Sequence, residues 1–313
     1  MVRLGRSPAR LSGGTDVHQH LWPEELVEQL RRRRTPPMLR NWTLLLDGEP
    51  AYEVNPGDHD LRARAGLDPE LDRILVSLST PLGIEQLTPD EAWPLLDAWH
   101  AGAGGLPAPF LPWASVTTCD PDLEALEKRL ATAFIGVQLP ATEMHAPAAV
   151  ERLAPVLEVC ERAGRPVLIH PGPTGRAAPT AAALPAWWPA VVDYSGQLQA
   201  AWWAWHAAGR GMFGRLRICF AAGAGLAPVQ HERFGARGGG RFVIDRDVFV
   251  DTSSYGRQGI DALIRALGID VVVLGSDRPN AARAALEAFD HGAAARRAVC
   301  VSNPHRLLEG GSA

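Results

Sequence analysis

The chain is almost without lysine. Of its 31 basic residues only Lys128 is a lysine, and against 35 acidic residues the formal charge is -4. That balance makes neither nucleic acid nor an anionic membrane surface a natural partner. The glycine-rich stretch at 235–240, Gly-Ala-Arg-Gly-Gly-Gly, resembles a phosphate-cradling loop in composition only, because it lacks the lysine such a loop needs. Cysteines are few too. Cys119, Cys160, Cys219 and Cys300 are widely spaced, lie in or beside apolar runs and form no Cys-x-x-Cys pair. A disulfide framework and a structural zinc clasp are thereby excluded, and the thiols read as buried and reduced in a cytoplasmic protein. No apolar stretch reaches membrane-spanning length, and Met-Val-Arg-Leu-Gly-Arg-Ser-Pro at the start has no apolar segment of the secretory kind.

What is present suits one large domain: 313 residues, 46% hydrophobic and 21% charged. The arginine run at 31–34 reads as a solvated helix end. The stretch that organises the rest is Asp16-Val17-His18-Gln19-His20. On a strand, residues two apart share a face, so His18 and His20 present their imidazoles side by side. Two further apolar runs end in a polar residue followed by a break. Val-Leu-Ile-His170-Pro-Gly is one, and Val-Val-Val-Leu-Gly-Ser-Asp277-Arg-Pro is the other. A short buried strand with a polar residue at its C-terminal end is how a (β/α)8 barrel displays catalytic groups. His18, His20, His170 and Asp277 form a nitrogen and oxygen set suited to zinc or a similar divalent ion.

Along the chain, a helix is expected at 24–34, ended by Pro36-Pro37, then a β-hairpin over 41–54 with Asp47-Gly48 as its turn. Further strands are expected at 74–78, 110–116, 134–139, 167–170, 216–221, 243–251 and 271–274. Helices are expected at 89–100, 120–133 and 155–163 between them, the alternation of a parallel α/β architecture. The stretch 171–192 is rich in proline and alanine and carries Trp187-Trp188. It is followed by a helix with Leu198, Trp202 and Trp205 roughly on one face. The tryptophan pair suits an aromatic lid and, equally, a subunit interface, which would make a homodimer. Residues 1–14 read as a loose arm, 15–309 as the domain, and 310–313 as a flexible tail.

These motifs, in this order, resemble the amidohydrolase-related family of the amidohydrolase superfamily. The resemblance rests on Asp-Val-His-Gln-His at 16–20, Gly-Val-Gln-Leu at 136–139 and Ile-His-Pro at 169–171. It continues with Val-Asp-Thr-Ser at 250–253, Gly-Ser-Asp-Arg-Pro at 275–279 and Asn-Pro-His-Arg-Leu-Leu at 303–308. It implies a (β/α)8 TIM barrel with a hairpin insertion after strand one and a long Trp/Pro-rich loop after strand five. It also implies His18, His20, His170 and Asp277 as ligands of one divalent metal, zinc foremost, with manganese or iron able to substitute. Asp277 would in addition move the proton of a metal-activated water.

One departure stands out. The family reads His-Gly-Gly-Gly-x-x-Pro on strand six, whereas this chain reads Ala222-Gly-Ala-Gly-Leu-Ala-Pro, so that Ala222 takes the place of the histidine. His231 is a poor replacement, because it should lie on the helix after strand six, and His206 and Arg278 are candidates that nothing in the sequence supports. The resemblance implies first a hydrolase acting on an ester, lactone or amide bond of a small cyclic or aromatic molecule. Its alternatives are non-oxidative decarboxylation of an aromatic or unsaturated acid at the same metal, and a barrel impaired by the loss at Ala222. Trp22, Trp187, Trp188 and Arg278 are expected against the substrate.

Overall fold

The computed structural model describes residues 12–175, 184–281 and 292–311. Most of the expected arm and the end of the expected tail (residues 1–11, 312 and 313) lie outside the described residues, as does 176–183 of the loop after strand five. Among the described residues eleven strands run in chain order: β1 Thr15–His20, β2 Met38–Arg40, β3 Thr43–Leu45, β4 Tyr52–Glu53, β5 Arg73–Ser77, β6 Phe110–Pro112, β7 Val137–Pro140, β8 Val167–His170, β9 Ile218–Phe220, β10 Val248–Asp251 and β11 Val272–Val273. Eight of them, β1 and β5 to β11, are parallel and close into a TIM barrel. β1, β5 and β6 pair in one sheet, and β7 to β11 pair in sequence order in another. The two sheets are joined by a bridge between Ala114 and Val137, and the ring is completed by a bridge between Gln19 and Arg278.

The strands are short apolar runs because both their faces are covered, one by the barrel interior and one by the helices. Val17, Val76, Leu139, Leu168, Phe220 and Val250 are all fully buried. The helices bury one stripe each. Glu24–Arg32 buries Leu26, Val27 and Leu30, and Leu123–Leu130 starts where Asp122 accepts a hydrogen bond from the amide of Ala125 at 2.9 Å. Leu198, Trp202 and Trp205 are buried together on the stretch that begins with the helix Tyr194–Ala204, as their spacing predicts. Among the described residues no helix is long and apolar enough to cross a membrane.

Two expectations are corrected and one is extended. The expected hairpin is present, with β3 and β4 pairing antiparallel across the loop that holds Asp47-Gly48, and β2 adds a third strand on the other side of β3. β2 and β3 pair Arg40 with Thr43 across a two-residue turn in which Asn41 has φ 57°. Asparagine tolerates that left-handed conformation, and tight hairpins use it. The strand expected from 243 starts only at Val248, because Val243 and Ile244, apolar as they are, are exposed. Cys119 is exposed, whereas the other three cysteines are buried.

Candidate metal centre and cavity

Each polar strand end arrives at one mouth of the barrel. β1 supplies His18 and His20, β8 supplies His170, and the turn after β11 supplies Asp277. The Nε2 of His20 lies 3.2 Å from the Nε2 of His18, 3.2 Å from the Nε2 of His170 and 3.2 Å from Asp277 Oδ1. All four donor atoms fall within 4.8 Å of one another. The three histidines are buried, and Asp277 is partly open to the cavity above.

The far nitrogen of every imidazole is held from behind. His18 Nδ1 is 2.7 Å from Asp251 Oδ2. His20 Nδ1 is 3.3 Å from the carbonyl of Ser77, and His170 Nδ1 is 2.9 Å from the carbonyl of Pro171 and 2.6 Å from Thr80 Oγ1. A carbonyl can only accept, so the Nδ1 atoms of His20 and His170 carry the protons and their Nε2 lone pairs face inward. Lone pairs and a carboxylate converging at such distances repel unless a cation or a proton lies between them. The donor set therefore fits a divalent cation, with outer partners that orient each ring as metal-bound histidines require.

The electrostatics agree. Burial, and the charges of His18 and His20, hold His170 well below the usual imidazole value. Burial likewise lowers His20. Burial also disfavours charge on His18, but Asp251, with help from Asp277 and Asp16, outweighs it and lifts that imidazole to about 9. Burial would raise Asp277. The hydrogen bond to His20 and the surrounding histidines instead hold it below the usual carboxylate range.

Asp251 stands at the end of β10 with both oxygens engaged. Oδ2 faces His18, and Oδ1 accepts from the amides of Ala222 and Ser253 and from the Ser253 hydroxyl. Its motif, Val-Asp-Thr-Ser, is visible in the sequence, yet nothing in the spacing reveals this partnership. The strand that would carry the absent histidine presents two alanines at its end. β8 and β9 pair Ile169 with Phe220, and the amide of Ala221 continues the ladder to Ile169. By that register Ala221, fully buried, is level with His170 and shares its inward face. Ala222 follows at φ 43° and opens a left-handed run through Gly223, Ala224, Gly225 and Leu226. Both alanines line the cavity, and neither brings more than a methyl group.

The cavity measures about 1020 Å³, with the four donors among its lining. Trp22 lines it, its indole N–H donating to Ser79 Oγ at 3.0 Å. Trp187 and Trp188 do not. Their neighbours Ala186, Pro189, Ala190 and Val191 form the wall, while Trp187 is 55% exposed and packs beside Trp188. Arg278 is also turned elsewhere, paired with Asp68 at 3.1 Å and absent from the lining. His231 stacks on Phe242 and His206 packs on Trp202, both outside the lining. The residues that sequence reasoning missed are His59, Tyr194 and Tyr255, all of them in the wall. They lie on loops and a helix start, where no strand-end pattern marks them.

Several solved structures share the fold. IDCase from Metarhizium anisopliae, in its apo form, is 19% identical, with 96% of this chain and 97% of that one covered at a TM-score of 0.74. The 5-carboxyvanillate decarboxylase of Novosphingobium aromaticivorans, with bound manganese, is 16% identical, with 95% and 97% covered at 0.71. The 2,6-dihydroxybenzoate decarboxylase of Rhizobium is 16% identical, with 95% and 98% covered at 0.68. No protein with a curated description matches the chain. Over residues 15–310, the span that holds all eight barrel strands and every donor of the cluster, the sequence matches the amidohydrolase family model, and the chain belongs to that family.

Proposed function

We propose that the protein is a metal-dependent lyase that removes the carboxyl group of a small aromatic or unsaturated acid without oxidation. His18, His20, His170 and Asp277 would hold one divalent ion. Zinc suits three imidazoles and a carboxylate, and manganese is the ion bound in a similar decarboxylase. When bound, the ion supplies a positive centre that anchors the substrate's carboxylate and draws off charge as the carbon–carbon bond breaks. The electron pair of that bond stays on the carbon, carbon dioxide leaves, and one proton must reach the vacated position.

The observation that carries this reading is the pair of methyl groups, Ala221 and Ala222, on the strand that faces the cluster. Hydrolysis needs one group to activate water and a proton donor for the leaving group. Decarboxylation needs a single proton carrier. Asp277 lines the cavity and can be that carrier, whereas Asp251 has both oxygens tied to its neighbours. Because its histidines keep Asp277 ionised in the free protein, the proton it hands on arrives with the substrate or from solvent. Decarboxylases among the similar structures support the same reading, and hydrolysis, the first expectation from the sequence, becomes the weaker one.

The test is carbon dioxide release from a panel of hydroxybenzoates and unsaturated acids by protein loaded with zinc or manganese, run beside hydrolysis of lactones and phenyl esters. Release of carbon dioxide, with deuterium at the vacated carbon in heavy water, is the expected result. Turnover of lactones or esters alone would return the assignment to a hydrolase. No turnover of either class would mean an impaired barrel.

A further inference from the structure

The loop behind the inserted sheet brings to the cavity a histidine that belongs to none of the strand ends. His59 closes the 3-10 turn Pro56–His59 and lines the cavity. Its ring lies flat against Trp22, with centroids 4.6 Å and planes 9° apart, and Trp42 lies parallel at 6.2 Å. The orientation within that stack is set by one bond, in which the amide of Trp22 donates to His59 Nδ1 at 3.1 Å. An amide cannot accept, so Nδ1 carries the lone pair and the proton sits on Nε2. Burial, with the nearby charges of Arg64 and His20, keeps the ring neutral, its pKa pushed down to about 4.

With Nδ1 committed to Trp22, Nε2–H is the hydrogen-bonding atom His59 has left, and among the described residues it has no acceptor. The arginines beside it do not take over its role. Arg64 donates to Gln19 Oε1 and to the carbonyls of His20 and Asp58, and Arg278 is paired with Asp68. Asp58 and Asp277 line the same cavity, so a second anionic group on the ligand would meet negative charge.

We propose that His59 is a specificity residue: clamped by Trp22 and Trp42 and keyed by the Trp22 amide, it offers a fixed N–H to a neutral oxygen of the bound acid. The substrate class it selects is a monocarboxylic acid bearing a hydroxyl, ether or carbonyl oxygen away from the carboxylate. This rests on the lyase reading only for the carboxylate anchored at the cluster. A buried site that supplies a donor penalises ligands that leave it unpaired.

The experiment measures dissociation constants of benzoate and the three monohydroxybenzoates by tryptophan fluorescence on metal-loaded protein, without turnover. In the wild type, one hydroxybenzoate binds more tightly than benzoate. His59→Phe keeps an aromatic ring between the tryptophans. It should weaken that ligand about tenfold, the scale of one hydrogen bond, and leave benzoate within about twofold. His59→Gln, which returns an N–H near the Nε2 position, should recover most of the difference. Nitrogen-15 NMR should show the proton on Nε2 of His59, a readout that needs no variant to fold. Equal losses for both ligands, no preference in the wild type, or a proton on Nδ1 would overturn the proposal. Selective binding without carbon dioxide release from any acid would sink the lyase reading and leave His59's role standing. Carbon dioxide release without selectivity would do the reverse.

Discussion

The amide of Asp277 donates to the carbonyl of His18 at 2.8 Å. That bond belongs to the seam where the last barrel strand meets the first, beside the bond from the Val17 amide to Leu274 at 2.8 Å. Closing the barrel and setting the carboxylate against the first histidine are thus one event. Asp277 has φ 56°, a left-handed conformation that aspartate tolerates better than most residues. The fourth donor is placed by backbone geometry and needs no flexible loop to find its partners.

The cluster should bind one divalent ion per chain, and Asp251 should tune it from behind. His18→Ala is expected to abolish binding. Asp251→Asn keeps the shape but removes the charge under His18, and should weaken binding about 10- to 100-fold, the usual effect of an outer partner. Elemental analysis after dialysis against a competing chelator reads both. Wild-type affinity in Asp251→Asn would reduce that carboxylate to packing.

Of the two alanines after β9, Ala221 is the one level with His170. A histidine introduced there by Ala221→His should reach the cluster and raise lactone or ester hydrolysis by about tenfold or more, within the range of an added general base. Ala222→His should give less. Initial rates on a chromogenic ester compare them, and a larger gain from Ala222→His would show that the inward face has been misread.

The left-handed run is expected to respond oppositely to two small substitutions. A Cβ on Gly225 would stand 2.4 Å from the backbone oxygen of Ser195, so Gly225→Ala should cost at least about 2 kcal/mol. Ala224 sits at φ 55°, where glycine is unstrained, so Ala224→Gly should be neutral or stabilise by about 0.5–1 kcal/mol. Urea unfolding of the metal-loaded protein measures both. Equal loss in the two variants would contradict the assignment.

Glu85 predicts a pH dependence. It is fully buried, with Oε1 accepting from Ser115 Oγ at 2.9 Å and no partner for Oε2 among the described residues, and burial pushes it up to about 7. The folded state holds this proton more tightly than the unfolded chain. Its contribution is therefore full below about 4.5 and is lost as the pH rises through 7, on the order of 3 kcal/mol in all. Glu85→Gln should flatten that slope and make the protein more stable than wild type at pH 8. Parallel slopes for the two proteins would be evidence against it.

The strands were legible because a buried parallel strand is a continuous apolar run; β8 ends in His170, and the turn after β11 carries Asp277. His18, His20, His170 and Asp277 could be read for the same reason. The wall of the cavity could not. Trp187 and Trp188 suggested a lid by composition, but Ala190 and Val191, themselves exposed, line the cavity in their place, and no periodicity spans the proline before them. Arg278 follows a donor in sequence, yet the neighbour of an inward-facing residue points outward, and Asp68 waits there. His59 is far from any motif, and only the folding of the inserted sheet against Trp22 gives it a place.

Ala222 touches Asp251 through its amide, not its side chain. The backbone at that position is tied into the support of His18, and any residue that accepts the turn will make the same bond. Side-chain identity at 222 is therefore free to drift without dissolving the metal-ligand cluster. A lineage can lose an imidazole from this strand, keep a well-ordered centre, and be left with a scaffold on which a different reaction can be selected.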